Sequence, residues 1–343
     1  MSSINEETKE KVSRFWDSAN GSHRAKRLIE FLKLLASEKR LPVRGWMRSV
    51  IRSRGSGIGW WHNSFVVTRI NERICGRAVD GRSQGIIEWL KDSYGYLFPL
   101  ERGISVACAN GYKESLFLRA GIVNRFDLYE LSEKAIKWGR DLAHQLGLAD
   151  RMNFRRGIAI EEIKTPGSYE LVAWNDALHH MPDVSEALAW SRTILKQGGI
   201  FSMDDFVGPT RFQWPDRQLA LATAIRKVIP NRYLATPGSP FRHLPLAVER
   251  PTIASMIALD PSEAADSERI LPSLAKHFPE ATVRKTGGVV YNLALHGITH
   301  NFDPEEDKKL LELLMIIDEQ CITAGDTHYA AAIGRKREQG SIG

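Results

Sequence analysis

Cysteine is scarce in this chain. Its 343 residues include three, Cys75, Cys108 and Cys321, and no two form a CxxC pair. That excludes a disulfide framework and a thiolate zinc site, and it makes a reducing, cytoplasmic location the expectation. Long apolar runs are missing as well. The best candidate, residues 28–36 (LIEFLKLLA), is interrupted by Glu30 and Lys33 and falls well short of the ~20 residues that span a bilayer. The first residues (MSSINEETKEK) are polar and acidic, unlike a signal peptide. There is no internal repeat and no low-complexity tract. What is present is ordinary for a globular protein: 43% hydrophobic and 26% charged residues, enough to bury a full core.

The net charge of +6 is unevenly placed, because residues 1–60 hold 13 Lys/Arg against 6 Asp/Glu. Arg40, Arg44, Arg48, Arg52 and Arg54 concentrate the excess. Such a patch suits an anionic partner, or it is a solvated helical face with a basic loop. No motif with interleaved aromatics accompanies it, so nucleic acid is disfavoured as a partner. A homo-oligomer stays open.

Organisation follows from apolar periodicity. Residues 6–40 read as helix, with Ser22 as an N-cap, and a second helical stretch runs from Trp60 to about Tyr94. The segment between them, residues 53–59, is rich in glycine and serine. From residue 100 short apolar runs alternate with helical segments. The strands are expected at 103–109, 126–130, 152–157, 169–174 and 200–206, and the helices at 115–120, 134–146 and 184–195. This rhythm predicts an α/β fold, a doubly wound and mostly parallel sheet. Residues 281–298 (ATVRKTGGVVYNLALHGI) read as two strands around Gly287 and Gly288, followed by a helix over 305–317. Four regions result: an N-terminal helical region or lid at 1–95, a cofactor-binding core at 96–208, a helical substrate-side insertion at 209–278, and final strands with a C-terminal helix at 279–343.

Ligands of open α/β sheets sit beyond the carboxyl ends of the strands. The first strand-to-helix turn is Ala107-Cys108-Ala109-Asn110-Gly111, and Glu130 stands 19 residues after Gly111. A carboxylate there can accept hydrogen bonds from both hydroxyls of a ribose. A dinucleotide fingerprint needs a small residue where Tyr112 stands, so the turn reads instead as AxAxG, a variant of GxGxG.

With these residues in place, the stretch 100–207 resembles the class I S-adenosylmethionine-dependent methyltransferases. The segments carrying the resemblance are YELSEKAI (129–136), YELVAWNDALHHMPD (169–183) and LKQGGIFSMDDF (195–206). The resemblance implies a seven-stranded sheet with an antiparallel last strand and S-adenosylmethionine as cofactor. It implies that Ala107, Ala109, Asn110 and Gly111 cradle the amino-acid end of the cofactor. Glu130, with Leu131 beside it, would hold the ribose. Ile158 and Ala159 would pack the adenine, and Asn175 and Asp176 would line the pocket. Three positions depart from the family pattern. Two loop glycines are alanines, Ser105 stands where strand one usually has an acid, and Ile158 replaces an aspartate.

Methyl transfer to a hydroxyl needs a base, and His179, just past the fourth strand, is the preferred one. Asp204 and Asp205, ending strand five, are the other catalytic candidates. His180, Arg211, Gln213 and Trp214 are expected to bind the acceptor. Trp60 and Trp61 pack between helices or face the cofactor, and Gly208, Pro209 and Gly238 could act as hinges. His179, His180 and Asp183 are not expected to bind a metal, because adjacent histidines should point in different directions. The segments DDFVGPTRFQW (204–214) and GGVVYNLALHGITHNF (287–302) are similar to methyltransferases associated with glycan assembly. The implied activity is O-methylation of a small-molecule or glycan acceptor. Two alternatives stay open: a non-catalytic binding or regulatory relative, and a nucleic-acid methyltransferase using the basic N-terminal segment.

Overall fold

In a computed structural model of the chain, the described residues are 10, 13, 14, 17, 59–236 and 239–337. Most of the helix expected over 6–40, its Ser22 cap, the arginine patch, residues 53–58 and Gly238 lie outside them. Seven strands form one sheet. They are β1 (Leu100–Val106), β2 (Val123–Glu130), β3 (Met152–Arg156), β4 (Tyr169–Asn175), β5 (Leu195–Phe206), β8 (Thr282–Gly287) and β9 (Tyr329–Arg335). Their order is β3-β2-β1-β4-β5-β9-β8. The first five pair in parallel, and β9 runs antiparallel to both of its neighbours. A two-stranded ribbon, β6 (Ala235–Thr236) with β7 (Ser239–His243), stands apart within the insertion.

Both faces of the sheet are covered, and alternation along β4 shows how. Leu171 and Ala173 point into one apolar cluster, while Val172 and Trp174 point into the other. Successive side chains of a strand face opposite ways, so a strand buried on both sides is apolar throughout. The first cluster includes residues of α1 (Ser64–Cys75), α2 (Gln84–Tyr94), α3 (Tyr112–Arg119), α4 (Glu133–Gln145) and α10 (Lys308–Thr323). The second is closed by α6 (Val184–Ile194) and α9 (Ile270–His277). A short helix, α5 (Ala159–Glu162), follows β3, and the insertion carries α7 (Asp216–Val228) and α8 (Ile253–Leu259). Among the described residues no helix is long and apolar enough to cross a membrane.

Three expectations need correction. The stretch from Trp60 to Tyr94 is broken, since α1 ends at Gly76 in a left-handed C-cap and α2 starts after Ser83. The residues after Gly288 are not a strand: Val289–Ala294 coil as a π-helical turn. Their β-branched, apolar composition reflects burial, with Val289, Val290 and Tyr291 fully enclosed. The antiparallel partner of β8 is β9, whose sequence YAAAIGR has little strand character. The last helix is also displaced, to Lys308–Thr323.

His328, just before β9, is wholly buried against Trp214, with ring centroids 4.4 Å apart. Its Nε2–H donates to Gln218 Oε1 at 2.9 Å. Burial pushes this imidazole down to about 3 from its ordinary 6.5. Above pH 6.5 the group is neutral folded or unfolded. As the pH falls from 6.5 toward 3, the unfolded chain takes a proton that the folded chain refuses. Stability should therefore fall by about 1.4 kcal/mol per pH unit from this group. Urea unfolding between pH 6.5 and 4 should show that slope, and His328→Gln should remove it; equal slopes in the two proteins would overturn the assignment.

Candidate active site

The site begins where β1 stops. Ala107, Ala109 and Gly111 take φ of 50°, 51° and 66°, a left-handed conformation that glycine adopts freely and alanine with strain. The bend is held from β2. The Ala109 N–H donates to Glu130 Oε2 at 2.8 Å, and Leu131 and Ser132 N–H donate to Oε1 at 2.8 and 2.9 Å. Burial raises the Glu130 carboxyl above its ordinary value, opposed by those three donors. Asn110 Oδ1 accepts from the Tyr112 N–H at 3.3 Å and starts α3. Gly111 has no room for a side chain, because a Cβ would lie 2.8 Å from Met152 Cε and 2.9 Å from Phe154 Cζ. Gly111→Ala should thus distort the bend and weaken cofactor binding at least ten-fold, whereas Ala109→Gly should leave it within about two-fold. Calorimetry with S-adenosylhomocysteine checks both.

A buried acid beneath the bend was not among the residues expected from the sequence. Glu114, in the first turn of α3, is buried and accepts from Ser105 Oγ at 2.9 Å and Asn175 Nδ2 at 2.8 Å. A carboxyl group under the bend is thus supplied by the helix, although β1 offers only Ser105. The signal was ambiguous, because an acid in a first helical turn is usually a solvent-facing partner for the helix dipole. Asn175 ends β4, and its buried Oδ1 has no hydrogen-bond partner among the described residues. That orphan acceptor suits a ligand that donates hydrogen bonds.

Farther along the edge lies a pocket lined by Trp60, Trp61, Arg82, Lys113, Asp176, Asp204 and Tyr329. Trp60 rests edge-on against Tyr291 and Tyr329. Arg82 sits 5.4 Å over the Trp61 ring. Lys113 Nζ donates to the Asn175 carbonyl at 3.0 Å and pairs with the Asp176 carboxylate. Asp176 adopts a left-handed φ of 52°, and its N–H donates to the Asp204 carbonyl at 2.9 Å. Despite a burial penalty, Lys113 and Arg82 hold Asp176 below the ordinary carboxylate range. Asp204 is pushed the other way, up to about 7, by burial and by the neighbouring Asp176 charge.

Asp205 points away from this pocket into the protein. It accepts from the Ala177 and Leu178 N–H groups at 2.8 and 2.7 Å and meets His179 Nδ1 at 2.6 Å. Burial disfavours the His179 imidazolium, but the Asp205 carboxylate outweighs it and raises the imidazole above its ordinary value. The adjacent histidines do not diverge, which corrects that expectation: their ring centroids are 4.1 Å apart. Asp183 is not with them, because its carboxylate caps α6 through the Glu186 N–H.

The acceptor-side expectations fare unevenly. Trp214 is 2% exposed and stacks on Phe212 at 5.1 Å, so it packs the core and forms no wall. Arg211 spends its guanidinium on the carbonyls of Glu263 and Pro261, at 2.9 and 2.8 Å. Gln213 holds the carbonyls of Arg211 and Pro251. These two residues tie segments of the insertion to one another, and the Ala265 N–H fastens it to the His179 carbonyl, 3.0 Å away, past the end of β4. Ala159 is buried beyond β3, and Ile158 beside it is partly exposed. At the β2 end, Ser13 Oγ donates to the Leu131 carbonyl at 3.0 Å, and Ser132 Oγ donates to Asp17 at 2.7 Å. Part of the N-terminal segment therefore rests beside Glu130.

A parallel sheet with one antiparallel strand, a bend at the end of β1 and a carboxylate at the end of β2 together define the class I methyltransferase fold. Residues 104–203 match the family described as a methyltransferase domain. Over 121 residues the chain is 27% identical to 27-O-demethylrifamycin SV methyltransferase of Amycolatopsis mediterranei (strain S699), covering 34% of this chain and 44% of the relative. It thus spans less than half the length of that curated relative. Two solved structures share the fold. Geranyl diphosphate methyltransferase with GPP and sinefungin matches at TM-score 0.51 and 12% identity, over 96% of this chain and 99% of that one. Geranyl diphosphate C-methyltransferase from Streptomyces coelicolor A3(2) matches at TM-score 0.50 and 12% identity, over 96% and 97%.

Proposed function

We propose that this protein transfers a methyl group from S-adenosylmethionine to an oxygen of a small-molecule or glycan acceptor. The observation that carries the reading is one continuous sheet edge with Glu130 and the 107–111 bend at one end and the Asp176–Asp204 pocket at the other. The residues fit the cofactor: Glu130 for the ribose, the backbone of the bend for the amino-acid tail, and the orphan Asn175 Oδ1 for its ammonium group. When bound, the cofactor supplies a methyl group on a positively charged sulfur. The protein's own work is then to align the acceptor and remove its proton. Asp204 faces the pocket and titrates near neutrality, as a general base should. Lys113 keeps the neighbouring Asp176 ionised, so the two carboxyls are driven to different protonation states, the pattern of a divided acid–base pair. Support for an oxygen acceptor comes from this base and from the curated relative, named for a 27-O-demethyl substrate.

The test is calorimetry and thermal unfolding with S-adenosylmethionine and S-adenosylhomocysteine. Saturable heat and a rise in Tm with both are expected. No heat and no Tm change with either would leave a non-catalytic protein that merely keeps the fold.

A further inference from the structure

The insertion delivers a third side chain to the paired histidines. His179, His180 and Glu263 each place one potential ligand atom within 4.8 Å of the others, and His179 Nε2 lies 3.9 Å from Glu263 Oε1. We propose that these three residues form a site for a divalent transition-metal ion, built across the gap between the end of β4 and the insertion.

The hydrogen-bond network around the histidines fixes their tautomers. Asp205 Oδ1 takes the Nδ1–H of His179 at 2.6 Å, so an ion that displaces the ring's second proton would meet Nε2, the nitrogen facing Glu263. For His180 the argument runs through a serine. Ser262 Oγ donates to Asp260 Oδ1 at 2.6 Å, so it meets His180 Nδ1, 3.0 Å away, with a lone pair. In a neutral ring that nitrogen carries the hydrogen, and Nε2 is then the acceptor-type nitrogen of His180. Metal-bound imidazoles are oriented in this way, by a carboxylate or other acceptor on the far nitrogen.

Charge points in the same direction. Five acids, Asp176, Asp204, Asp205, Asp260 and Glu263, surround this end of the sheet, and Asp205, Asp260 and Glu263 are among the most buried polar groups of the chain. Against them stand Lys113, Arg82 and Arg211. Buried carboxyl groups of this kind favour a bound cation. Two imidazoles and one carboxylate suit Zn²⁺, Co²⁺, Mn²⁺ or Fe²⁺ better than Mg²⁺, which prefers oxygen ligands. Ligands ~2.1 Å from a tetrahedral ion stand about 3.4 Å apart. The three atoms therefore need to close by about 1.4 Å at most, within reach of a glutamate side chain. With three protein ligands, positions remain open for an acceptor oxygen; that use rests on the methyl-transfer reading, whereas the ion site itself does not.

The experiment titrates chelator-treated full-length protein with Co²⁺ alone, following visible absorption, with Mg²⁺ as the comparison. A 1:1 ligand-field spectrum is expected, with little response to Mg²⁺. Glu263→Gln and His180→Ala should each weaken Co²⁺ by 10–100-fold while S-adenosylhomocysteine still binds, which also shows that the variants are folded. Absence of stoichiometric Co²⁺ binding, or binding unchanged in both variants, would overturn the site. Failure of S-adenosylhomocysteine to bind the unaltered protein would instead count against the methyl-transfer reading.

Discussion

Glu130→Ala is expected to weaken S-adenosylmethionine binding by about 1–3 kcal/mol, roughly 5- to 150-fold, and to lower the melting temperature as well. The two effects share a cause. The carboxylate is both the proposed ribose acceptor and the anchor for the N–H groups of Ala109, Leu131 and Ser132. Truncation leaves those donors without their partner and frees a bend whose two alanines already sit in a strained conformation. Glu130→Gln separates the parts. Its amide oxygen can serve Leu131 and Ser132, but its NH₂ group would then face the Ala109 N–H, donor against donor. Gln should therefore fold better than Ala yet still bind the cofactor weakly. Unchanged affinity in both variants, measured by calorimetry, would remove Glu130 from the site.

The second large effect is expected at Asp204. In this reading it must be ionised to take the acceptor's proton, and burial together with Asp176 has pushed it up to about 7. Turnover should thus rise with pH through about 7 and level off above it. Asp204→Asn should lower turnover by ~10²–10⁴ and abolish that rise. Transfer of labelled methyl groups to a panel of hydroxylated small molecules, followed from pH 5.5 to 8.5, provides the profile. A variant that keeps both its rate and the rise would pass the base's role to another group.

The strands at the centre of the sheet were legible because parallel strands buried on both faces carry apolar runs, as in ISV of β1, LVAW of β4 and IFSM of β5. The bend and Glu130 could be placed from spacing alone, since one strand, one turn and one helix fix where the second strand ends. β9 was illegible. Ala330, Ala331 and Ala332 pass for helix or loop, and only the crowding between β5 and β8 explains why small residues stand there. The role of Trp214 was misread because an aromatic beside a cleft and an aromatic beneath it look alike in sequence. Glu263 and Glu114 were missed for different reasons. Glu263 meets His179 from 84 positions away, and Glu114 is a helix-start acid turned inward.

The brace formed by Arg211 and Ala265 has an evolutionary corollary. In the reading proposed above the nucleoside is held by residues 107–176, whereas the stretch between Arg211 and Ala265 is fastened largely through main-chain carbonyls that any sequence possesses. Such fastening is indifferent to the side chains it carries. Descendants could therefore exchange the stretch between Arg211 and Ala265 for new preferences while inheriting the nucleoside grip unaltered.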